Sequence, residues 1–161
     1  MIRWALTAAA VLTVGCGGSN ANQSQLPAPP PAAAAGGGSD LTAFQLENGI
    51  GPVTSPVTLA AIDAGLAKKG NDVFQVKCTP CHKITERYVG PALEEVLSRR
   101  SPTYVMNMIL NPNEMVERHP VAKGVLAEYM TMMANQGLTV EEARSVLEYL
   151  RTQQKSGKAG S

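Results

Sequence analysis

The chain has 161 residues, of which 17% are charged, with 14 Lys and Arg against 13 Asp and Glu for a net charge of +1. So balanced a chain offers no basic footprint for nucleic acid and no strong field to steer a partner from a distance. Aromatic residues make up only 4%, and the single Trp stands at position 4, so a folded core built farther along must find its bulk elsewhere.

Residues 1–15 carry Arg3 ahead of an apolar run from Trp4 to Val14. That run is too short to cross a bilayer as an ordinary helix and reads as a secretory signal. It closes in LTVGC, which resembles a bacterial lipoprotein signal with Cys16 as the lipidated first residue of the mature chain. Plain cleavage near Gly15 and an uncleaved anchor are the alternatives. Several acyl chains on Cys16 would hold the protein stably at a membrane. Residues 16–40, with LPAPPPAAAAGGGS, cannot bury enough apolar surface to fold and are expected as a disordered tether, stiff where Pro-rich and flexible where Gly-rich.

Residues 41–63 read as an N-terminal extension packed on the domain that begins at Ala64. Asp63 is placed to cap a helix from Ala64 to Lys77, with Leu66, Val73 and Phe74 available to one face. Gly70 inside it costs about 1 kcal/mol against Ala, so a close contact is expected there.

The helix delivers Cys78-Thr-Pro-Cys81-His82. On a helical turn, positions three apart share a face, so both sulfurs can point one way with the imidazole beside them. C-x-x-C-H is the attachment signature of c-type haem: each thiol adds across a porphyrin vinyl group and the histidine becomes an axial ligand of the iron. Three other readings compete. A thioredoxin-like redox pair wants a βαβ surround, and this one is helical. Zinc usually takes four ligands, and outside the motif the chain has only Cys16 and His119 of the Cys/His type. A Cys78–Cys81 disulfide would leave His82 unexplained. A buried porphyrin would also supply the flat apolar bulk that the scarce aromatic residues do not.

Beyond the motif, Ser101 reads as an N-cap with Pro102 at the first helical position and Asn111-Pro112 as the stop. Val105, Met108 and Ile109 fall at helical spacing. Pro120 opens a third helix, to about Tyr129, with Val121, Val125 and Leu126 together. Thr139 and Glu142 form a capping box for the last helix. Its apolar stripe is Val146, Leu147 and Leu150, while Glu141 and Glu142 suit the positive end of its dipole. Residues 155–161 are expected as a frayed tail.

Taken in order, GNDVFQVKCTPCHK, VGPAL, RRSPTYVMNMILNP and GLTVEEARSVLEYLR resemble class I monohaem cytochromes c. The resemblance implies an all-α fold, the small cytochrome c fold, with helices wrapped around one covalently attached haem c over residues 64–154. It places the crossing of first and last helices near Gly70, Phe74 and Tyr149. Candidates for the second axial ligand are His119 and six methionines, at 106, 108, 115, 130, 132 and 133. Helical packing accounts for Met106 and Met108, and a surface or capping role for His119. The resemblance puts the ligand a few residues before GLT, which selects Met133. Ala134 stands where the family commonly has Pro, so Met132 and Met130 remain competitors. By the same matching, Pro91 offers its carbonyl to the other nitrogen of the ligating His82, and Arg100, with Arg99 or Tyr104, lies near the propionates.

The function so implied is a membrane-tethered electron carrier of the cell envelope, on the periplasmic side, serving a respiratory chain. Its iron has His/Met ligation, its partners are transient redox proteins, and no small-molecule substrate, nucleic acid or enzymatic role is expected. The alternative is a haem enzyme or a sensor of peroxide or gas, with a labile distal Met.

Overall fold

Pairing of backbone groups within short helices accounts for all the regular structure in the described residues, 40–154, of the computed structural model. The helices are α1 Ala43–Asn48, α2 Ala64–Lys77, α3 Val96–Arg99, α4 Pro102–Leu110, α5 Pro112–Arg118, α6 Pro120–Tyr129 and α7 Val140–Thr152. None of them is long and apolar enough to cross a membrane. The leader with Cys16, the tether short of Asp40 and the tail after residue 154 lie outside the described residues.

Five of these helices start where side chains offer caps, Thr42 sharing a reciprocal capping box with Gln45 at α1. Asp63 accepts from Leu66 N–H at 2.9 Å, Ser101 from Tyr104 N–H, and Thr139 shares a reciprocal capping box with Glu142. Each cap satisfies an amide that the first turn leaves without a partner, worth about 1 kcal/mol. At α6 the cap is His119, whose Nδ1 accepts from Val121 N–H at 3.2 Å. Its Nε2 lies 3.1 Å from the Leu46 carbonyl, so both ring nitrogens are used and the ring is fully buried rather than on the surface. The helices α1, α3 and α5 are additions to what the sequence patterns predict. Pro112, expected only as a stop, also opens α5, because a first helical position needs no N–H.

The α2–α7 crossing is the frame. A Cβ on Gly70 would fall on the Ser145 carbonyl of α7, so only glycine permits this approach. Beside it the rings of Phe74 and Tyr149 meet at 5.1 Å. Phe74, Val105, Ile109, Val146, Leu147 and Leu150 are buried together as one core. A second core holds Leu41, Ile50, Tyr104, Met115, Val116 and Ala122, so residues 41–50 supply apolar surface that α4, α5 and α6 would otherwise expose.

Polar side chains bind the rest of residues 41–63. The fully buried Asn107 carboxamide donates to the carbonyls of Asn48 and Val53, both at 3.0 Å, and accepts from Val53 N–H at 3.0 Å. Thr103 Oγ1 accepts from Val57 N–H at 2.8 Å. On α7, buried Glu148 accepts from Asp63 N–H at 2.8 Å and pairs with Arg144 at 3.0 Å and Arg151 at 2.6 Å. The two arginines continue to the carbonyls of Thr58 and Ala60. Burial would raise the Glu148 pKa. Arg151, the Asp63 amide and Arg144 outweigh it and hold the carboxyl below its ordinary value.

Candidate cofactor site

The C-terminal end of α2 turns sharply into the Cys-x-x-Cys-His segment. Cys78 N–H still bonds to the Phe74 carbonyl at 2.9 Å, and the Cys78 carbonyl accepts from both Cys81 N–H (3.0 Å) and His82 N–H (2.8 Å). Both thiols are free, Cys78 half-buried and Cys81 exposed. Burial, reinforced by the neighbouring Cys81, pushes the Cys78 thiol up to about 11.

Cys78 and His82 line an apolar cavity of about 90 Å³. Phe74, Leu93, Val105, Ile109, Val146 and Leu150 form much of its wall. These are core side chains presenting their unpacked sides, so the cavity takes the place of the missing aromatic bulk.

His82 is held on two sides. Its Nδ1 lies 3.1 Å from the Pro91 carbonyl, a pure acceptor, so Nδ1 carries the proton and Nε2 keeps its lone pair. Burial pulls the His82 pKa below its ordinary 6.5 against the pull of the Pro91 carbonyl, so the ring is neutral at neutral pH. A neutral imidazole with one nitrogen oriented by a backbone carbonyl is what a metal ligand requires. Gly90 closes over the ring: a Cβ there would sit 2.5 Å from His82 Cε1 and 2.9 Å from Nδ1. Sequence reasoning misses Gly90. The signal that could have found it is the glycine of VGPAL, directly before the proline whose carbonyl holds the ring.

The methionines separate by environment. Met130 is 83% exposed and Met132 52%, while Met133 packs against the first core and lines the cavity. Met115 is fully buried in the second core, where its sulfur accepts from Ile50 N–H at 3.0 Å. Met106 is buried in the first core. Met108, expected as packing, also reaches the cavity wall. Arg100 is not among the lining side chains. Its guanidinium lies 5.5 Å from the ring centre of Tyr104, which does line the cavity, and it donates to the Arg99 carbonyl.

An all-helical shell, an apolar slot and a Cys-x-x-Cys-His turn at its mouth define a protein with a covalently attached flat cofactor. The cytochrome c family model matches residues 67–154, and the chain belongs to that family. It is similar to a cytochrome c-553-like protein of Synechocystis, 31% identical over 71 residues that cover 41% of this chain and 68% of that protein. It is also similar to the solved structure of a cytochrome c from Rhodothermus marinus. There the identity is 50%, the TM-score 0.64, and the match covers 68% of this chain and 94% of the other. An engineered cytochrome c from the same organism, bound to a carbene intermediate, matches at 50% identity and a TM-score of 0.61, over 68% of this chain and 95% of that one.

The cofactor is one covalently bound haem c with its iron, and cytochromes c generally serve as electron carriers with transient redox partners. The residues present fit that group: two free thiols on one turn, an imidazole with an uncommitted nitrogen, and apolar walls.

Proposed function

We propose that this protein is a membrane-tethered electron carrier of a cell-envelope respiratory chain, anchored through lipid on Cys16 and facing the periplasm. Bound haem c would supply one-electron chemistry at its iron, and every other task falls to the chain. Cys78 and Cys81 would hold the group by thioether bonds. His82 Nε2, aimed by the Pro91 carbonyl and the Gly90 backbone, would be one ligand of the iron. The Met133 thioether would be the other, favouring Fe(II) and raising the potential. Tyr104 and Arg100 would serve the propionates. Partners bind transiently, as redox encounters with small interfaces do, and a tether concentrates the head near partners in the same membrane.

The observation that carries this reading is that Met133 enters the same cavity as His82 while Met130 and Met132 face solvent. Oxidised protein should show the weak red charge-transfer band of thioether–Fe(III) ligation. Met133→Ala should abolish the band and lower the midpoint potential, and Met108→Leu should keep it. A band lost in Met108→Leu and kept in Met133→Ala would move the ligand into α4. For the anchor, Cys16→Ser should release the protein from membranes with its spectrum unchanged.

A second reading, a haem enzyme or sensor with an exchangeable Met, is favoured by one feature. From Met130 to Thr139 the chain has no regular structure, and Ala134 follows Met133. Ready binding of carbon monoxide by wild type would support it over the carrier.

A further inference from the structure

Met133 sits in an open stretch between α6 and α7, yet the entrance to that stretch is fastened from across the molecule. Arg87 belongs to the loop between His82 and Pro91. Its Nη1 pairs with the Glu128 carboxylate at 3.1 Å, and its Nη2 donates to the Glu128 backbone carbonyl at 3.1 Å. The guanidinium also lies over the Tyr129 ring, 4.0 Å from its centre. Three contacts of different kinds thus converge on the last two residues of α6, 41 positions away in sequence. Directly after them Met130 caps the helix in the left-handed conformation, φ 53°, and the chain turns toward Met133.

We propose that Arg87 is a positioning residue, a clasp that ties the loop carrying Met133 to the loop orienting His82 and so keeps the sixth coordination position closed. The proposal rests on Met133 being that ligand. Its physical content is a bias on an open–closed equilibrium of the 130–139 segment. An exposed ion pair alone contributes little. Arginine adds two things a lysine cannot: a planar fork that bonds the carboxylate and the carbonyl together, and a face that stacks on the ring. Glu128 is bonded at both its side chain and its backbone, so the helix end itself is held. Between Met130 and Thr139, apart from the packing of Met133 and Leu138 on the first core, few hydrogen bonds hold the segment. Asn135 Nδ2 reaches the Leu110 carbonyl only at 3.5 Å, and the bonds from Gly137 N–H to Asn135 Oδ1 and from Gln136 Nε2 to the Ala134 carbonyl stay inside the segment.

The test uses the matured, haem-loaded protein and imidazole as the probe, titrated into the oxidised form and followed by the loss of the red charge-transfer band. Arg87→Leu should leave the band in place without imidazole and bind imidazole about tenfold more tightly than wild type, the size expected when contacts of this strength are removed. Glu128→Gln, which keeps the carbonyl bond and the stack, should gain about twofold. Arg87→Lys should fall between the two. Equal imidazole affinities in wild type and Arg87→Leu, with the band present in both and lost in Met133→Ala, would overturn the clasp and leave Met133 as ligand. Absence of the band from wild type would overturn the ligand assignment itself. A gain in Arg87→Leu matched by Glu128→Gln but absent from Arg87→Lys would show that the ion pair alone acts, against the three-contact clasp.

Discussion

The two loops at the cavity mouth are built to different standards. The loop from His82 to Leu93 is cross-bonded on itself: Gly90 N–H to the Cys81 carbonyl at 2.8 Å, Tyr88 N–H to Gly90, and Leu93 N–H to Ile84 at 3.0 Å. The His82 ring closes this set through the Pro91 carbonyl. Between its end residues Met130 and Thr139 the 130–139 segment has fewer bonds, and there its one hydrogen bond to another element is the long Asn135–Leu110 contact, among the described residues. Met133 is held there by packing and by the fastening of the segment's two ends, Arg87 at α6 and the Thr139–Glu142 box at α7. With Met133 as the proposed second ligand, a rigid imidazole beside a thioether on a looser leash would let the protein set how readily its sixth position exchanges without disturbing the fifth.

The largest change to this contrast should come from the frame beneath both loops. Glu148→Gln removes the partner of Arg144 and Arg151 and should cost about 3 kcal/mol in urea unfolding, toward the low end for breaking a buried pair because both arginines retain some solvent. The pH dependence gives it a signature. Glu148 is held below its ordinary 4.5 in the folded state. Its contribution is therefore complete above that value and is lost as pH falls through the depressed folded value. Wild type and Glu148→Gln should converge in acid, and a gap that stays constant with pH would contradict the assignment.

A smaller effect is expected on the rigid side alone. Gly90→Ala forces a methyl onto the His82 ring and should cost about 1–3 kcal/mol. The matured variant should show disturbed histidine ligation in its spectrum while Arg87 still holds α6. If Gly90→Ala matures with wild-type spectrum and stability, the close approach of backbone and ring is not required.

The smallest change should tighten the looser loop. Ala134 N–H makes no hydrogen bond among the described residues, so Ala134→Pro removes none and narrows the unfolded and open ensembles. It should stabilise the closed form by about 0.4–1 kcal/mol, read as a two- to fivefold weaker affinity for imidazole. Tighter imidazole binding would mean that the ring does not fit the backbone there.

How legible each feature is in the sequence depends on the range over which it acts. The α2, α4, α6 and α7 helices are visible because caps, Pro at a first position and apolar spacing act within one or two turns. α1 is written just as locally, in Thr42 and Gln45, which form a reciprocal capping box. It escapes notice because the short apolar stretch around it shows no sustained stripe. α3 has four residues and no side-chain cap, so nothing local marks it. Cys78, Cys81 and His82 stand out from five adjacent residues, since their chemistry depends on spacing along one turn. Pro91 and Met133 are reached through family resemblance, and their positions against His82 and the cavity are facts of tertiary structure.

Local geometry is legible in the chain alone: the four longest helices, where they start, and two thiols and an imidazole on one turn. Only the tertiary structure decided which of the six internal methionines border the cavity. It also decided that His119 is an internal cap, that Gly90 must lack a side chain, and that Arg87 joins two loops. Each of these depends on which atoms distant parts of the chain bring within a few ångströms. Side-chain type and local periodicity do not encode that distance, which is set when α2 and α7 cross at Gly70 and the cores close around them.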